Sequence, residues 1–311
     1  MSFASFDLAA FESATGEERE KRAKRLDQIC RESGFLVLEG HGVSEKIRQT
    51  VWQACRSFFD QSHEAKIKLT PNHGDPYGYL GPNAEALAAS KGEETPPDLK
   101  ESFNGGPAHV PADLKDADAL SFCFAPTPFP DLPGFESAWR SYYDAMEALA
   151  HRVMRAFAAA LGKPEDFFDA YIDEPISALR ALNYPETRDR PEDKQQRAGA
   201  HTDYGSLTIL WPQPGSRGLQ IKQGDAWIDV PAPEGAFVVN IGDLMERWTS
   251  DRWVSTLHRV VAVAGQPRRQ SLAFFHQPNW FAEIVPLDGS DKYAPVLSGP
   301  YLMDKFRSTG V

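Results

Sequence analysis

The sequence lacks the features that would place the protein in a membrane, outside the cell or on a nucleic acid. It contains no apolar run near the ~20 residues that a membrane-spanning helix needs. The stretch from Met1 to Phe11 lacks the basic start and apolar run of a secretory signal, so we expect a cytoplasmic protein. Lys and Arg number 33 against 44 Asp and Glu, which argues against a nucleic-acid surface, because phosphate binding needs clustered positive charge.

Cysteine is also scarce. Cys30, Cys55 and Cys123 are odd in number and widely separated, which fits neither a disulfide framework nor a zinc-knuckle spacing. We interpret them as small core residues. The 311 residues otherwise have an ordinary globular composition, with no internal repeat or low-complexity linker. We therefore predict one domain that binds a small molecule, with no nucleic-acid or membrane partner, and the sequence leaves its oligomeric state open.

The first half of the chain has mainly helical patterns. Apolar residues recur at helical spacing from Glu17 to Glu32 and again after Ser44, which is placed to cap the second helix. Between them, Phe35 to Leu38 predicts a short buried strand. The longest helix carries an apolar stripe from Trp139 to Leu161. Residues Thr70 to Pro97 are rich in glycine and proline and predict a long loop, and the sequence does not decide whether this loop is a lid.

After Pro175 the pattern changes to short β-favouring segments separated by turns. We predict strands at Ala178 to Tyr184, Ser206 to Trp211, Leu219 to Ile221, Ala226 to Val230, Ala236 to Ile241, Ser255 to Val263 and Gln270 to His276. This order indicates a β-sandwich or β-barrel core with the earlier helices packed outside it.

His201 and Asp203 lie in a β-favouring segment and are separated by one residue. In a strand, such residues point to the same face, so an imidazole and a carboxylate can approach one point. We predict His258 as a third ligand. Two histidines and one carboxylate leave positions open on the metal, an arrangement typical of non-haem Fe(II) used for oxygen chemistry. Zinc accepts the same ligands, so a zinc hydrolase is an alternative.

Arg269 and Ser271 are likewise separated by one residue of a predicted strand. A guanidinium and a hydroxyl on one face can hold a single carboxylate, because arginine offers two parallel donors. Tyr184, at the end of an earlier strand, is a candidate third donor. These residues predict an anionic ligand close to the metal, for which a zinc hydrolase has no use.

Together these motifs resemble the isopenicillin N synthase-like branch of the Fe(II)/2-oxoglutarate-dependent dioxygenases. The resemblance covers most of the chain and rests on five ordered segments. These are Ser33 to Val43, Asp98 to Phe103, Leu179 to Pro185, Asn240 to Thr249 and Arg269 to Phe275. It implies a mainly β fold with flanking helices (α+β) and a double-stranded β-helix, or jelly-roll, core. Within the single domain, 1–311, we expect a helical N-terminal support region with some strands at 1–175, the catalytic core at 176–285 and a tail at 286–311.

The resemblance implies that His201, Asp203 and His258 bind Fe(II), and that Arg269 and Ser271, helped by Tyr184, bind 2-oxoglutarate. The implied reaction is oxidation of a small molecule by O2, most simply hydroxylation, with decarboxylation of 2-oxoglutarate to succinate and CO2. Desaturation and ring closure stay open. Two further alternatives are an iron oxidase of the isopenicillin N synthase type, which needs no 2-oxoglutarate, and a jelly-roll binding protein without turnover.

The substrate wall is predicted from strand alternation alone. Phe275 shares a face with Arg269 and Ser271, and Arg180 shares one with Tyr184. An interior guanidinium also needs a carboxylate partner or a ligand. We therefore name Arg180 and Phe275 as candidate substrate contacts.

Overall fold

Strands from both halves of the chain build two sheets that face each other. The computed structural model describes residues 3–309 except 73, 83, 188 and 190. In that part of the chain the strands are β1 (Ser5–Asp7), β2 (Phe35–Glu39), β3 (Gly78–Leu80), β4 (Glu101–Gly105), β5 (Ala178–Tyr184), β6 (Ala198–His201), β7 (Leu207–Pro212), β8 (Leu219–Gln223), β9 (Ala226–Asp229), β10 (Phe237–Ile241), β11 (His258–Val260), β12 (Arg269–His276), β13 (Glu283–Ile284) and β14 (Val296–Leu297).

The larger sheet has the order β1-β2-β10-β7-β12-β5-β4-β3, and the smaller has the order β6-β11-β8-β9. Neighbouring strands are antiparallel except β1 and β2, which are parallel. The pair β13 and β14 stands apart. This arrangement puts β11 and β12 in different sheets, so residues on their inner faces can meet in the space between the sheets.

Alternation along the strands of the larger sheet produces two different faces. On β12, Leu272 and Phe274 belong to the main core beneath the helices, whereas Ala273 packs with residues of the smaller sheet such as Ile221 and Val260. The inner face of β12 also carries Arg269 and Ser271, because they keep the same period of two. Polar groups are thus placed inside the sandwich, beside apolar residues of both sheets.

Helices cover the outer face of the larger sheet. They are α1 (Leu8–Ser13), α2 (Gly16–Glu32), α3 (Glu45–Phe59), α4 (His63–Lys66), α5 (Ala117–Phe122), α6 (Phe135–Ala160), α7 (Asp243–Trp248) and α8 (Ser298–Thr309). The apolar stripe of α6 packs against β7 and β12, with α2 and α3 on its other sides. Fully buried Trp139 and Phe157 on this stripe each stabilise the fold by about 2 kcal/mol or more. None of the helices described is long and apolar enough to cross a membrane.

The structure confirms the predicted mainly β class with flanking helices, and it corrects four details. Ser44 precedes α3, but its side chain makes no capping hydrogen bond. The strand predicted at Ser255 to Val263 is reduced to β11, because its pairing with β6 shifts register between His258 and Val260. The predicted loop at Thr70 to Pro97 contains β3, which pairs with β4, and a 3-10 turn at Leu87–Lys91. Two positions of this loop, 73 and 83, and the last two of the predicted tail, 310 and 311, lie outside the described residues. The fourth detail concerns Asp203, which lies beyond the end of β6.

Candidate active site

The three predicted metal ligands lie together at one end of the smaller sheet. His201 ends β6 and His258 begins β11, and the two are direct partners in the antiparallel register. Asp203 Oδ1 lies 3.9 Å from His201 Nε2 and 3.8 Å from His258 Nε2. One ligand atom from each residue falls within 4.8 Å of the others. Three donors can therefore coordinate one ion from a single side.

Asp203 reaches this position from a turn rather than from a strand. The chain leaves β6 after His201, and the backbone N–H of Asp243 donates to the Asp203 carbonyl over 2.7 Å. The prediction of one strand face for both residues was therefore wrong in its geometry, although both side chains do converge. The turn is held by the start of α7 instead of by a strand ladder.

Hydrogen bonds to the backbone orient both imidazoles. His201 Nδ1 donates to the carbonyl of Gly199 over 2.7 Å, and His258 Nδ1 donates to that of Thr256 over 3.1 Å. Because a carbonyl only accepts, the proton of each neutral ring is on Nδ1. Each Nε2 then presents its lone pair, as a metal ligand must.

The two oxygens of Asp203 have different environments. Oδ2 accepts hydrogen bonds from Thr208 Oγ1 over 2.6 Å and from Asn240 Nδ2 over 2.8 Å. Oδ1 faces the two Nε2 atoms instead. Thr208 and Asn240 were not predicted as functional residues. Each lies on a strand face directed into the sandwich, and strand alternation in the sequence could have indicated that they point towards the site.

Burial and neighbouring charges favour the protonation states that bind a metal. Burial, together with nearby His258, lowers the pKa of His201 to about 3. Burial raises the pKa of Asp203, but the two histidines and the bonds from Thr208 and Asn240 outweigh it, and the net pKa is below the ordinary value. At neutral pH the site therefore offers a neutral His201 imidazole and an ionised carboxylate.

Arg269 and Ser271 lie together on the inner face of β12, as predicted. Both are buried, and Arg269 Nη1 donates to the carbonyl of Arg217 over 3.2 Å. Arg269 Nε and Ser271 Oγ have no hydrogen-bond partner among the described residues. Tyr184 is the register partner of Arg269, and its ring lies 4.5 Å from the guanidinium carbon. Two buried donors without acceptors fit a ligand carboxylate, because an unpaired buried donor is otherwise costly.

A second guanidinium, not predicted, adds to this positive charge. Arg197 is buried and its Nη2 donates to the carbonyls of Pro185 and Pro267 over 2.8 and 2.9 Å. Burial and the charge of Arg269 lower the pKa of Arg197 to about 10. Neither arginine forms an ion pair with an acid in the described part of the chain. An anion bound here would be attracted by two poorly compensated cations. Arg197 was missed because it lies just before β6, outside the motifs.

Arg180 and Phe275 contact each other on the same inner face. The guanidinium carbon of Arg180 lies 6.0 Å from the centroid of the Phe275 ring. Arg180 Nη1 also pairs with Glu85 Oε1 over 3.1 Å. Phe275 is the register partner of Thr208, which bonds Asp203, so this wall adjoins the predicted metal site. Glu85 was not predicted, because the glycine-rich and proline-rich stretch around it has no periodicity.

Comparison with known families matches both halves of the chain. Residues 175–278 match the family model of the 2OG-Fe(II) oxygenase superfamily. Residues 5–131 match a second family model, described as "non-haem dioxygenase in morphine synthesis N-terminal". The 2-oxoglutarate-dependent dioxygenase caaD of Aspergillus niger is 34% identical over 86% of this chain and 81% of its own length. The validamycin A dioxygenase of Streptomyces hygroscopicus subsp. limoneus is 34% identical over 90% and 78%, respectively.

Solved structures show the same similarity in three dimensions. A full-length Neurospora crassa protein crystallised in complex with alpha-KG superposes with a TM-score of 0.85 at 31% identity, covering 98% of this chain and 95% of that protein. The complex of the same Neurospora crassa protein with alpha-KG and thymine gives 0.84 at 30% identity, covering 99% and 96%. The double-stranded β-helix fold is thus shared with proteins that bind 2-oxoglutarate.

Proposed function

Since this chain belongs to the 2OG-Fe(II) oxygenase superfamily and is an Fe(II)- and 2-oxoglutarate-dependent dioxygenase that acts on a small molecule, we propose roles for its individual residues. His201, Asp203 and His258 bind Fe(II) through Nε2, Oδ1 and Nε2. The observation that carries this assignment is the orientation of the three side chains. Backbone carbonyls bind Nδ1 of both histidines and Asn240 binds Oδ2 of Asp203, so that Nε2, Oδ1 and Nε2 face one another.

Arg269 and Ser271 bind the distal carboxylate of 2-oxoglutarate in this proposal. Their unpaired buried atoms support it, as does the second cation at Arg197. The ring of Tyr184 packs against Arg269 and fixes the plane of its guanidinium. A planar fork held in this way matches the two oxygens of a carboxylate.

Bound Fe(II) and 2-oxoglutarate supply the oxidation of the substrate by O2, in which 2-oxoglutarate loses CO2 and becomes succinate. We propose hydroxylation as the outcome for this chain. Arg180 and Phe275 contact the substrate, because they line the inner face beside Thr208, which donates a hydrogen bond to Asp203. The apolar residues between the sheets exclude bulk water from the site.

We also propose that residues 1–311 act as one domain in the cytoplasm. In this division 1–175 supports the catalytic core at 176–285, and 286–311 is a tail. The helices pack against the outer face of the larger sheet, and this shared core supports the assignment of a single domain. The three buried thiols, all free, are compatible with a reducing compartment.

An anaerobic titration tests the assignment of the residues. Fe(II) added to protein with 2-oxoglutarate should produce the metal-to-ligand absorption band of the chelated keto acid, and His201→Ala should abolish it. His151→Ala is the matched control, because His151 is on the outer helix α6 beside Asp169. A band that survives in His201→Ala at unchanged Fe(II) affinity would contradict the ligand assignment.

A further inference from the structure

Four charged side chains form a buried, balanced cluster beside the proposed substrate wall. Lys100 Nζ lies 2.8 Å from Asp98 Oδ2 and 3.1 Å from Glu85 Oε2, and Glu85 Oε1 pairs with Arg180 Nη1 over 3.1 Å. Asp98, Lys100 and Glu85 are buried, and the side chain of Arg180 is 17% exposed. Two cations and two anions therefore cancel within one connected group.

The cluster is attached to the proposed metal site through the backbone of Gly199. The N–H of Gly199 donates to Asp98 Oδ1 over 2.9 Å, and its carbonyl accepts the hydrogen bond from His201. The N–H of Leu87 also donates to Asp98, so this carboxylate ties the 3-10 turn to β6. The charged cluster is consequently buried beside the proposed metal site and is not part of the outer surface.

Within the cluster, Arg180 keeps donors for a ligand. Its Nη1 bonds both oxygens of Glu85, and Nε and Nη2 have no hydrogen bond to a residue that the structure describes. Burial raises the pKa of Glu85, but Arg180 and Lys100 together hold it down at about 2, so the carboxylate stays ionised. Arg180 thus offers N–H groups whose positive charge is already compensated.

The surroundings of the proposed 2-oxoglutarate carboxylate and those of the proposed substrate wall differ in this respect. Arg269 and Arg197 have no acidic partner in the described part of the chain, and their end suits a carboxylate. Arg180 has Glu85, so a second carboxylate placed beside it would meet a nearby negative charge as well as a donor. Juxtaposed like charges oppose binding strongly in a desolvated site.

We propose that Glu85 sets the substrate class: the protein takes a neutral, planar molecule whose carbonyl oxygen accepts from Arg180 and whose ring packs on Phe275, and it rejects carboxylates there. This inference rests on the proposed function, because it assigns Arg180 and Phe275 to the substrate. The ring face of Phe275 beside a guanidinium favours a flat ligand. Glu85 is a specificity-determining residue that acts through Arg180.

The test measures binding with two matched pairs of probes, uracil against orotate and nicotinamide against nicotinate. Each probe is titrated into the anaerobic complex with Fe(II) and 2-oxoglutarate, and its dissociation constant is read from the change in the absorption band. In the wild type each neutral member should bind at least about tenfold more tightly than its carboxylate. Glu85→Gln should reduce that ratio about tenfold or reverse it, because it leaves the charge of Arg180 uncompensated.

Control variants separate the possible causes. Glu283→Gln changes an exposed acid on β13 and should leave both ratios as in the wild type. Arg180→Gln should weaken the neutral probes without admitting the carboxylates, which keeps the inference testable if Glu85→Gln folds poorly. Absence of the band in the wild type would refute the proposed function itself. Three outcomes with a normal band would overturn this inference alone. They are carboxylates that bind as tightly as their neutral partners, a wild type that binds no neutral probe, and ratios that stay unchanged in Glu85→Gln.

Discussion

Replacing Arg269 by Gln should separate binding of 2-oxoglutarate from binding of iron. Arg269 is 4% exposed and its Nε has no partner among the described residues. A hydrogen bond to a charged group contributes about 1.5–3 kcal/mol, and glutamine restores at most part of a two-donor contact. We expect a loss of about 3 kcal/mol, or roughly a 150-fold rise in the Kd for 2-oxoglutarate. The Kd for Fe(II) should stay unchanged, because Arg269 is not one of the three proposed ligands.

A second cosubstrate makes this experiment specific for the distal carboxylate. 2-Oxobutyrate keeps the keto-acid end but lacks the second carboxylate, so Arg269→Gln should leave its affinity unaltered. Arg259→Gln is the matched control, since Arg259 follows His258 in β11 and bonds Gln220 over 3.0 Å. Calorimetry or the absorption band gives each Kd. A folded Arg269→Gln that binds 2-oxoglutarate within about threefold of the wild type would refute the assignment, as a threefold change corresponds to only ~0.6 kcal/mol.

Three other predictions concern the support of the site. Asn240→Ala removes one donor to Asp203 Oδ2 and should weaken Fe(II) binding about 10–100-fold in a chelator competition; an unchanged Kd would exclude this positioning role. Gly199→Ala places a Cβ 2.7 Å from the Ala88 backbone nitrogen and should lower the free energy of unfolding, measured by urea denaturation, by about 1–3 kcal/mol. A urea midpoint equal to that of the wild type would show that the 3-10 turn moves to make room for the added methyl group. Burial lowers the pKa of His276 from 6.5 to about 3, so the unfolded chain binds the proton first and stability falls as the pH drops from 6.5 towards 3. His276→Gln should therefore flatten the dependence of unfolding on pH in this window, and a slope equal to the wild type would contradict that reason.

The parts of the site that depend on strand periodicity were predictable. Arg269 and Ser271 occupy one face of β12 because alternation is a local property of extended backbone. His258 was predicted as the third ligand, and its pairing with His201 follows from the sheet register. The mainly β class with flanking helices was likewise predictable, since turns and β-branched runs follow the helices in sequence.

What the sequence did not reveal depends on tertiary contacts. Asp203 was expected in a strand, but the N–H of Asp243, far along the chain, fixes it in a turn. Glu85 lies in a segment without periodicity, and its proposed role depends on ion pairs with Lys100 and Arg180, of which Arg180 is distant in sequence. The pKa of Arg197 is lowered by its burial and by the charge of Arg269, and both arise only when the chain has folded. No local pattern encodes such pairings.

Strand β5 carries both Arg180 and Tyr184 on one face, and this has a consequence for substrate size. The two residues are four positions apart, so their Cα atoms are separated by about 13 Å of extended chain. β5 is paired along both edges, with β4 on one side and β12 on the other, and it cannot shift without breaking two ladders. The distance between the proposed 2-oxoglutarate position and the proposed substrate wall is therefore fixed by the sheet. A substrate of a different length would have to be accommodated outside β5, for example by the segment around Glu85, which is not part of a strand.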